Sequence, residues 1–348
     1  MTKFLEPLGV SIVLFVAVAA APASFAQDKI DSSLEIKNFI GSIDWSNGPL
    51  SVEIEKNPDE TKISGRNSLV VDGGQNDIDG SDCKSTYGRF DFDWFGKKKD
   101  GHFGGYKGME DLPVLSITMT ENTKLILRDS VVFTAGSPDV GTADIALLYC
   151  GEVTLGDVEE TLALDSRGSA DVTVGDTGQI VANLKGSGDL TGGRSTDVLI
   201  ESRGSADVKL ENLTSLDMSI RGSGDVYIEN IDGDVEINSH GSGDIQLSEV
   251  KGSLSYTGHG SGDLEIDSVK GEYIELSSNG SGDIDIDGGQ VSRLSAIARG
   301  SSDIEYEGGA QIANLKTSGS GDIYVYRVTG AAETKSSGSG DIEIDERN

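Results

Sequence analysis

The sequence has few cysteines, few prolines and little positive charge. Its 348 residues include 2 Cys, 6 Pro and 3 His, and its 28 Lys and Arg residues are outnumbered by 59 Asp and Glu residues, which gives a formal net charge of −31. Such a surface repels nucleic acid and anionic lipid, so we expect no nucleic-acid partner. Because neither cysteine lies in a Cys-x-x-Cys pattern, thiol redox chemistry is not expected either.

After the amino terminus, the sequence also lacks long apolar runs. No later stretch approaches the roughly twenty apolar residues that a membrane helix needs, so we expect no membrane span after signal cleavage. The one apolar run extends from Gly9 to Ala21, follows Lys3 and precedes the small-residue sequence Ser24-Phe25-Ala26. This pattern is typical of a secretory signal peptide, which we assign to residues 1–26. The expected location is therefore periplasmic or extracellular.

The two cysteines lie in a region that is less regular than the rest. Residues 27–111 are predicted to form an amino-terminal β cap, in which residues 72–111 form a long irregular loop rich in Gly, Asp and Lys. Cys83 lies in this loop and Cys150 lies beyond it. Because an exported compartment permits disulfides, we predict a Cys83–Cys150 bond that ties the loop to the β structure.

Glycine, by contrast, is abundant and regularly placed. The tetrapeptide Gly-Ser-(Gly/Ala/Ser)-Asp occurs ten times from Gly168 on, at spacings of 18 to 20 residues. Apolar residues alternate after each motif, as at Ile245 and Leu247, and again before the next motif, as at Leu254 and Tyr256. This pattern predicts two strands per repeat, each with one buried face. A segment this short cannot bury that face alone, so successive repeats must stack.

We therefore predict an all-β fold, a right-handed parallel β-helix (solenoid) of about 18–20 residues per coil, over residues 112–348. The right-handed sense follows from the preference of crossover connections between parallel strands. Only three residues follow Asp345. We therefore expect a weakly capped last coil, which makes end-to-end self-association a further expectation.

The motif aspartates should stack along one edge of the solenoid. We predict a structural turn ladder in which each carboxylate accepts a backbone N–H while the motif glycines take positive φ. A calcium ladder would need two Gly-Asp turns per eighteen residues, whereas the repeat shows one. We therefore expect no metal and no cofactor, and at most weak cation binding. The ladder residues are Asp171, Asp189, Asp207, Asp225, Asp244, Asp263, Asp283, Asp303, Asp322 and Asp341.

The residues immediately before the first motif glycines form a second column, and seven of these ten residues are Arg, Lys or His. We expect it to neutralise part of the acidic ridge. His240 and His259 lie on consecutive coils, where paired surface imidazoles more often hold no metal. Catalysis requires residues that break the repeat, and because we find none we expect no catalytic residues and no enzyme. The column is Arg167, Lys185, Arg203, Arg221, His240, His259, Asn279, Arg299, Ser318 and Ser337.

Runs such as Gly241-Ser242-Gly243-Asp244-Ile245 and Gly280-Ser281-Gly282-Asp283-Ile284 resemble the autotransporter adhesin head domain, or GIN domain, family of exported bacterial β-helix proteins. The resemblance covers about Leu112 to Asp345. It implies a non-enzymatic envelope or secreted protein with adhesin-like binding or a structural role, whose unknown ligand is a protein or a polysaccharide. The alternative is a carbohydrate-active enzyme, a polysaccharide lyase or hydrolase, on a β-helix scaffold.

Overall fold

The structure is a computed structural model that describes residues 32–56, 61–66, 68–75, 78 and 112–347. The predicted signal peptide, Cys83 and most of the predicted loop lie outside the described residues. Within the described part, every regular element is a β-strand, and no helix is long and apolar enough to cross a membrane.

The strands are numbered in chain order. They are β1 (Ser32–Lys37), β2 (Ile40–Asn47), β3 (Ser51–Lys56), β4 (Lys62–Ser64), β5 (Ser68–Asp72), β6 (Val114–Met119), β7 (Thr123–Arg128), β8 (Val131–Ala135), β9 (Val140–Leu147), β10 (Cys150–Thr154), β11 (Val158–Ser166), β12 (Ser169–Thr173), β13 (Thr177–Leu184), β14 (Leu190–Gly192), β15 (Ser195–Ser202), β16 (Val208–Ile220), β17 (Val226–Ile231), β18 (Val235–Ser239), β19 (Ile245–Val250), β20 (Leu254–Gly258), β21 (Leu264–Val269), β22 (Tyr273–Ser278), β23 (Ile284–Ile286), β24 (Gln290–Gly300), β25 (Ile304–Gly319), β26 (Ile323–Val328), β27 (Ala332–Ser336) and β28 (Ile342–Arg347).

These strands build two long faces of a solenoid. The segment immediately before each Gly-Ser-(Gly/Ala/Ser)-Asp turn lies on face 1, as β18 does. The segment immediately after the turn lies on face 2, as β19 does. Each strand pairs in parallel with its equivalent in the next coil, as β18 does with β20 and β19 with β21. The predicted all-β parallel solenoid is therefore confirmed, while its right-handed sense stays a prediction.

Alternating apolar residues fill the inside of each coil. In one coil, Val226 and Ile228 of face 2, and Val235 and Ile237 of face 1, are all buried. Between the faces, Ile231 closes the third side of the coil and is fully buried. Because equivalent residues stack from coil to coil, the described part shares one continuous core along the solenoid.

The amino-terminal strands are not stacked in chain order. β1 pairs in parallel with β5 on one side and with β7 on the other, while β2 lies between β6 and β8 in the same way. Residues 32–47 thus form the second layer of the solenoid. β3 and β4 then add antiparallel to β6 and β5, and so cover the strand edges at this end.

A small second cluster lies beside the main core. Cys150 is buried there with Ile40, Leu112 and Val131, and Ile78 packs against the same group. Since Ile78 and Leu112 border the segment that contains Cys83, the chain enters and leaves that segment next to Cys150. The Cys83–Cys150 disulfide stays a prediction, because Cys83 lies outside the described residues.

Candidate binding faces of the solenoid

The motif aspartates form a hydrogen-bonded ladder between coils. The backbone N–H of Asp207 donates to Oδ1 of Asp189 at 2.8 Å, and the N–H of Asp225 donates to Oδ1 of Asp207 at 2.8 Å. The same bond recurs at every step from Asp171 to Asp341, at 2.7 to 3.0 Å. Each carboxylate therefore accepts an N–H from the following coil rather than from its own turn, and so links neighbouring coils.

The motif glycines serve close stacking more than unusual dihedral angles. Positive φ occurs at the first motif glycine of only the last three copies, Gly300, Gly319 and Gly338, so the expectation of positive φ throughout is wrong. A Cβ atom on Gly186 would instead lie 1.6 Å from the carbonyl oxygen of Gly168. Glycine is required because successive turns lie against each other without room for a side chain.

A second, shorter ladder lies at another corner of the early coils. The N–H of Asp157 donates to Oδ1 of Asp139 at 2.9 Å, the N–H of Asp176 to Asp157 at 2.8 Å, and the N–H of Arg194 to Asp176 at 2.9 Å. The Arg194 guanidinium also pairs with Asp176 at 2.6 Å and, with the backbone bond, lowers the pKa of that carboxyl. The coils of Asp157 and Asp176 hold two aspartate turns each, because Asp171 and Asp189 lie in the main ladder, and this corrects the count of one. The missed signal was the Gly-Asp dipeptide ending at Asp157 and Asp176.

The basic column does not pair with the aspartate ladder in the way expected. Arg167 forms an ion pair with Asp165 at 2.7 Å, and Arg203 forms one with Glu201. Both carboxylates lie on face 1, two residues upstream of the arginine. Within the ladder, the pKa of Asp189 is raised by burial and then by the nearby charges of Asp171 and Asp207. The backbone hydrogen bond that Asp189 accepts offsets only part of this rise.

His240 and His259 stack on each other. Their ring centroids are 4.6 Å apart and their planes differ by 18°. The lone pair of an imidazole nitrogen lies in the plane of its ring. In a near-parallel stack these lone pairs point side by side rather than toward one ion. Among the described residues, no group of three or more His, Cys, Asp and Glu side chains is arranged to hold a metal.

Face 1 presents a small apolar patch. Val181 and Leu199 are adjacent in register and are 38% and 47% exposed, which is unusual for large apolar side chains. They line a shallow depression of about 530 Å³ whose rim includes the Arg128–Asp144 ion pair. The patch spans only a few coils, and the same column continues with polar residues, beginning with Asp217 and Glu236.

The outward side of face 2 changes character along the solenoid. In its first half it is mixed, with the Lys209 Nζ atom 5.7 Å from the ring centroid of Tyr227 and a depression of about 380 Å³ around them. In the last five coils, the motif Asp and the second and fourth residues after it are all acidic or tyrosine. We call these fifteen residues the acidic-tyrosine surface: Asp263, Glu265, Asp267, Asp283, Asp285, Asp287, Asp303, Glu305, Glu307, Asp322, Tyr324, Tyr326, Asp341, Glu343 and Asp345.

Like charges are stacked directly on one another in this surface. Glu265, Asp285 and Glu305 are register neighbours on consecutive strands. At the strand spacing of about 4.8 Å, each such pair repels by about 1 kcal/mol in water. Burial, followed by Glu305, Asp283 and Glu265, raises the pKa of Asp285. The surface therefore carries a concentrated negative potential that attracts cationic groups.

Comparison with known proteins gives one family match and one solved structure. The sequence matches the family described as "putative auto-transporter adhesin, head GIN domain" over residues 158–267 and again over 235–348. The search of curated proteins finds no match. Among solved structures, the crystal structure of a putative adhesin from Bacteroides fragilis NCTC 9343 aligns over 91% of this chain and 92% of that chain, at 16% identity and a TM-score of 0.16. A TM-score this low carries no argument.

Proposed function

Because the chain belongs to the putative auto-transporter adhesin head GIN domain family, we propose that it is an exported, non-enzymatic, adhesin-like protein that binds a macromolecule on its solenoid faces. The family match carries this proposal, since it extends over more than half of the chain. The geometry supports it, because stacked coils present long surfaces of outward side chains at regular spacing. Such surfaces suit an extended partner better than a small substrate.

Binding without turnover is the first test. We would apply purified residues 27–348 to arrays of immobilised surface proteins and polysaccharides, and measure both retained protein and released reducing ends. We expect retention on at least one class of macromolecule without product. Turnover of any polysaccharide that is abolished by one carboxylate substitution would refute the proposal, and so would the absence of retention on every array.

Export is the second part of the proposal, and it has its own test. The charge and apolar pattern of residues 1–26 supports signal cleavage after Ala26. Mass spectrometry of the protein expressed in a bacterium should then find Gln27 as the amino terminus, in the periplasm or the medium. Finding only the uncleaved chain in the cytoplasm would contradict export.

A further inference from the structure

The acidic-tyrosine surface is the most uniform chemical feature of the described residues. Its fifteen positions carry thirteen carboxylates and two tyrosines, and none carries Lys or Arg. The strands continue in register from Glu265 through Asp285, Glu305 and Tyr324 to Glu343, so the columns are unbroken over five coils. A partner lying on this surface would meet carboxylates in every coil, and Arg327 is the cation that adjoins them beside Tyr326.

Two tyrosines lie side by side within this field. Tyr324 is the register neighbour of Glu305 on one side and of Glu343 on the other. Tyr326 follows two residues later on the same face of β26, and both side chains are partly exposed. Aromatic rings flanked by carboxylates attract planar cations, because the ring face adds a cation–π contact to the ionic attraction.

The protein itself supplies one occupied example of this chemistry. The guanidinium of Arg327 lies 5.2 Å from the centroid of the Tyr326 ring, and its Nη2 atom is 2.6 Å from a carboxylate oxygen of Glu346. A guanidinium is therefore already held between a tyrosine and a carboxylate at the edge of the surface. The neighbouring ring of Tyr324, with carboxylates on both sides, offers the same pair of contacts to a guanidinium from outside.

The spacing of the surface fits an extended polypeptide. Outward residues along one strand are two residues apart, about 6.7 Å, which is also the spacing of alternate side chains in an extended peptide. Arginine suits the surface better than lysine, since its planar fork both binds carboxylates and stacks on tyrosine. Within the described part, the carboxylates are not grouped to ligate a metal ion, so a chain of side-chain cations matches the surface better.

We propose that the acidic-tyrosine surface binds an extended, arginine-rich polypeptide segment of a partner protein. The assignment rests on the proposed adhesin-like function and specifies its partner. The peptide lies along face 2 with alternate arginines on the carboxylate columns, and one guanidinium stacks on Tyr324. Relief of the repulsion among Glu265, Asp285 and Glu305 adds to the affinity.

The test uses residues 27–348 and a fluorescein-labelled eight-residue peptide of alternating Arg and Ser, with the Lys-Ser peptide as comparison. Fluorescence anisotropy gives Kd at low and at physiological salt. The surface variant is E265Q/D285N/E305Q. The matched control is D217N/E236Q/E275Q, which removes the same charge from three exposed positions on face 1. We expect the surface variant to weaken binding at least tenfold and the control less than threefold.

The tyrosines are tested separately with Y324L/Y326L and Y324F/Y326F. We expect the leucine pair to weaken Arg-Ser binding about fivefold and to remove the preference over Lys-Ser, while the phenylalanine pair keeps both because it retains the rings. Melting temperatures of all variants establish that they are folded. Equal weakening by the surface and control triples, or no effect of the leucine pair, would overturn the assignment.

A polysaccharide arm separates this inference from the proposed function. Tighter binding of a partly deacetylated chitin oligomer than of the Arg-Ser peptide at equal positive charge would overturn the choice of a polypeptide. A further outcome is that the arrays of the first test retain the surface variant and the wild type to the same extent. In that case the adhesin-like function stands, and the acidic-tyrosine surface is not its binding site.

Discussion

Substitutions of Asp189 separate the two contributions of the aspartate ladder, its hydrogen bonds and its charge. Oδ1 of Asp189 accepts the backbone N–H of Asp207 at 2.8 Å. Burial, followed by Asp171 and Asp207, raises the pKa of Asp189, so its negative charge is disfavoured in the folded state. Asp189→Asn keeps a carbonyl oxygen as acceptor and removes the charge, whereas Asp189→Ala removes both.

The two variants should differ in stability by about the value of the hydrogen bond. Loss of the hydrogen bond costs about 1 kcal/mol, while each like-charged neighbour costs up to about 1 kcal/mol in water and less in salt. D189N should therefore be about 1 kcal/mol more stable than wild type at low salt, and D189A about 1 kcal/mol less stable than D189N at any salt. Since the folded-state pKa is raised, the D189N gain is full above that pKa and disappears as the pH falls through it toward 3.8.

Thermal unfolding and native-state hydrogen exchange would measure these effects. Exchange at the Asp207 N–H is the local readout, because that group is the donor to Asp189. D189A should raise its exchange rate, whereas D189N should leave it protected. Glu229→Gln serves as the control, since it removes one charge from an outward position outside the ladder. Equal destabilisation by Asn and Ala, with both exposing the Asp207 N–H, would refute the reasoning and indicate that the charge itself, or a bound cation, holds the coils.

Three further predictions concern the core, the turn and the cysteines. Ile228→Ala should lower the free energy of unfolding by about 2–5 kcal/mol, because Ile228 is fully buried; urea titration measures this, and a loss below about 1 kcal/mol would contradict the assigned core. Gly186→Ala should cost about 3 kcal/mol in the same assay, since its Cβ would overlap the carbonyl oxygen of Gly168; a variant as stable as wild type would disprove the close stacking. Peptide mapping of the oxidised protein should find Cys83 bonded to Cys150, with a loss of about 4 kcal/mol in the double Ser variant, whereas two free thiols would exclude the bond.

The coil itself could be predicted because its signal is local and repeated. Each repeat places apolar residues at fixed distances from the motif Asp, as at Ile245 and Leu247, and all of these positions are buried except in the last coil. Ile342 and Ile344 of that coil stay partly exposed in the described part, because no further strand lies beyond them there. Repetition averages out the ambiguity that any single short strand would carry.

The partners of the polar residues could not be predicted in the same way. A repeated Asp shows that a carboxylate recurs, but not whether its donor N–H lies in the same turn or in the next coil. The basic residue before each motif glycine is four residues from the motif Asp in the sequence. Arg167 nevertheless forms its ion pair with Asp165 on face 1. The placement of β1 and β2 between later strands was beyond the sequence too, since their partners lie outside the periodic region and share no repeat with them.

The placement of β1 and β2 also sets the order in which the protein can assemble. β1 is made first, yet its two neighbours in the stack, β5 and β7, follow it in the chain, and the β7 partner of Ser32 is Thr123. The regular coils need only the coil before them, so they can add one after another as the chain emerges. β1 can pair with β5 once Ser68 follows, but its other neighbour arrives only with Thr123, about ninety residues after Ser32. In a chain that leaves the cell amino terminus first, this end of the solenoid is the part that a chaperone would have to protect longest.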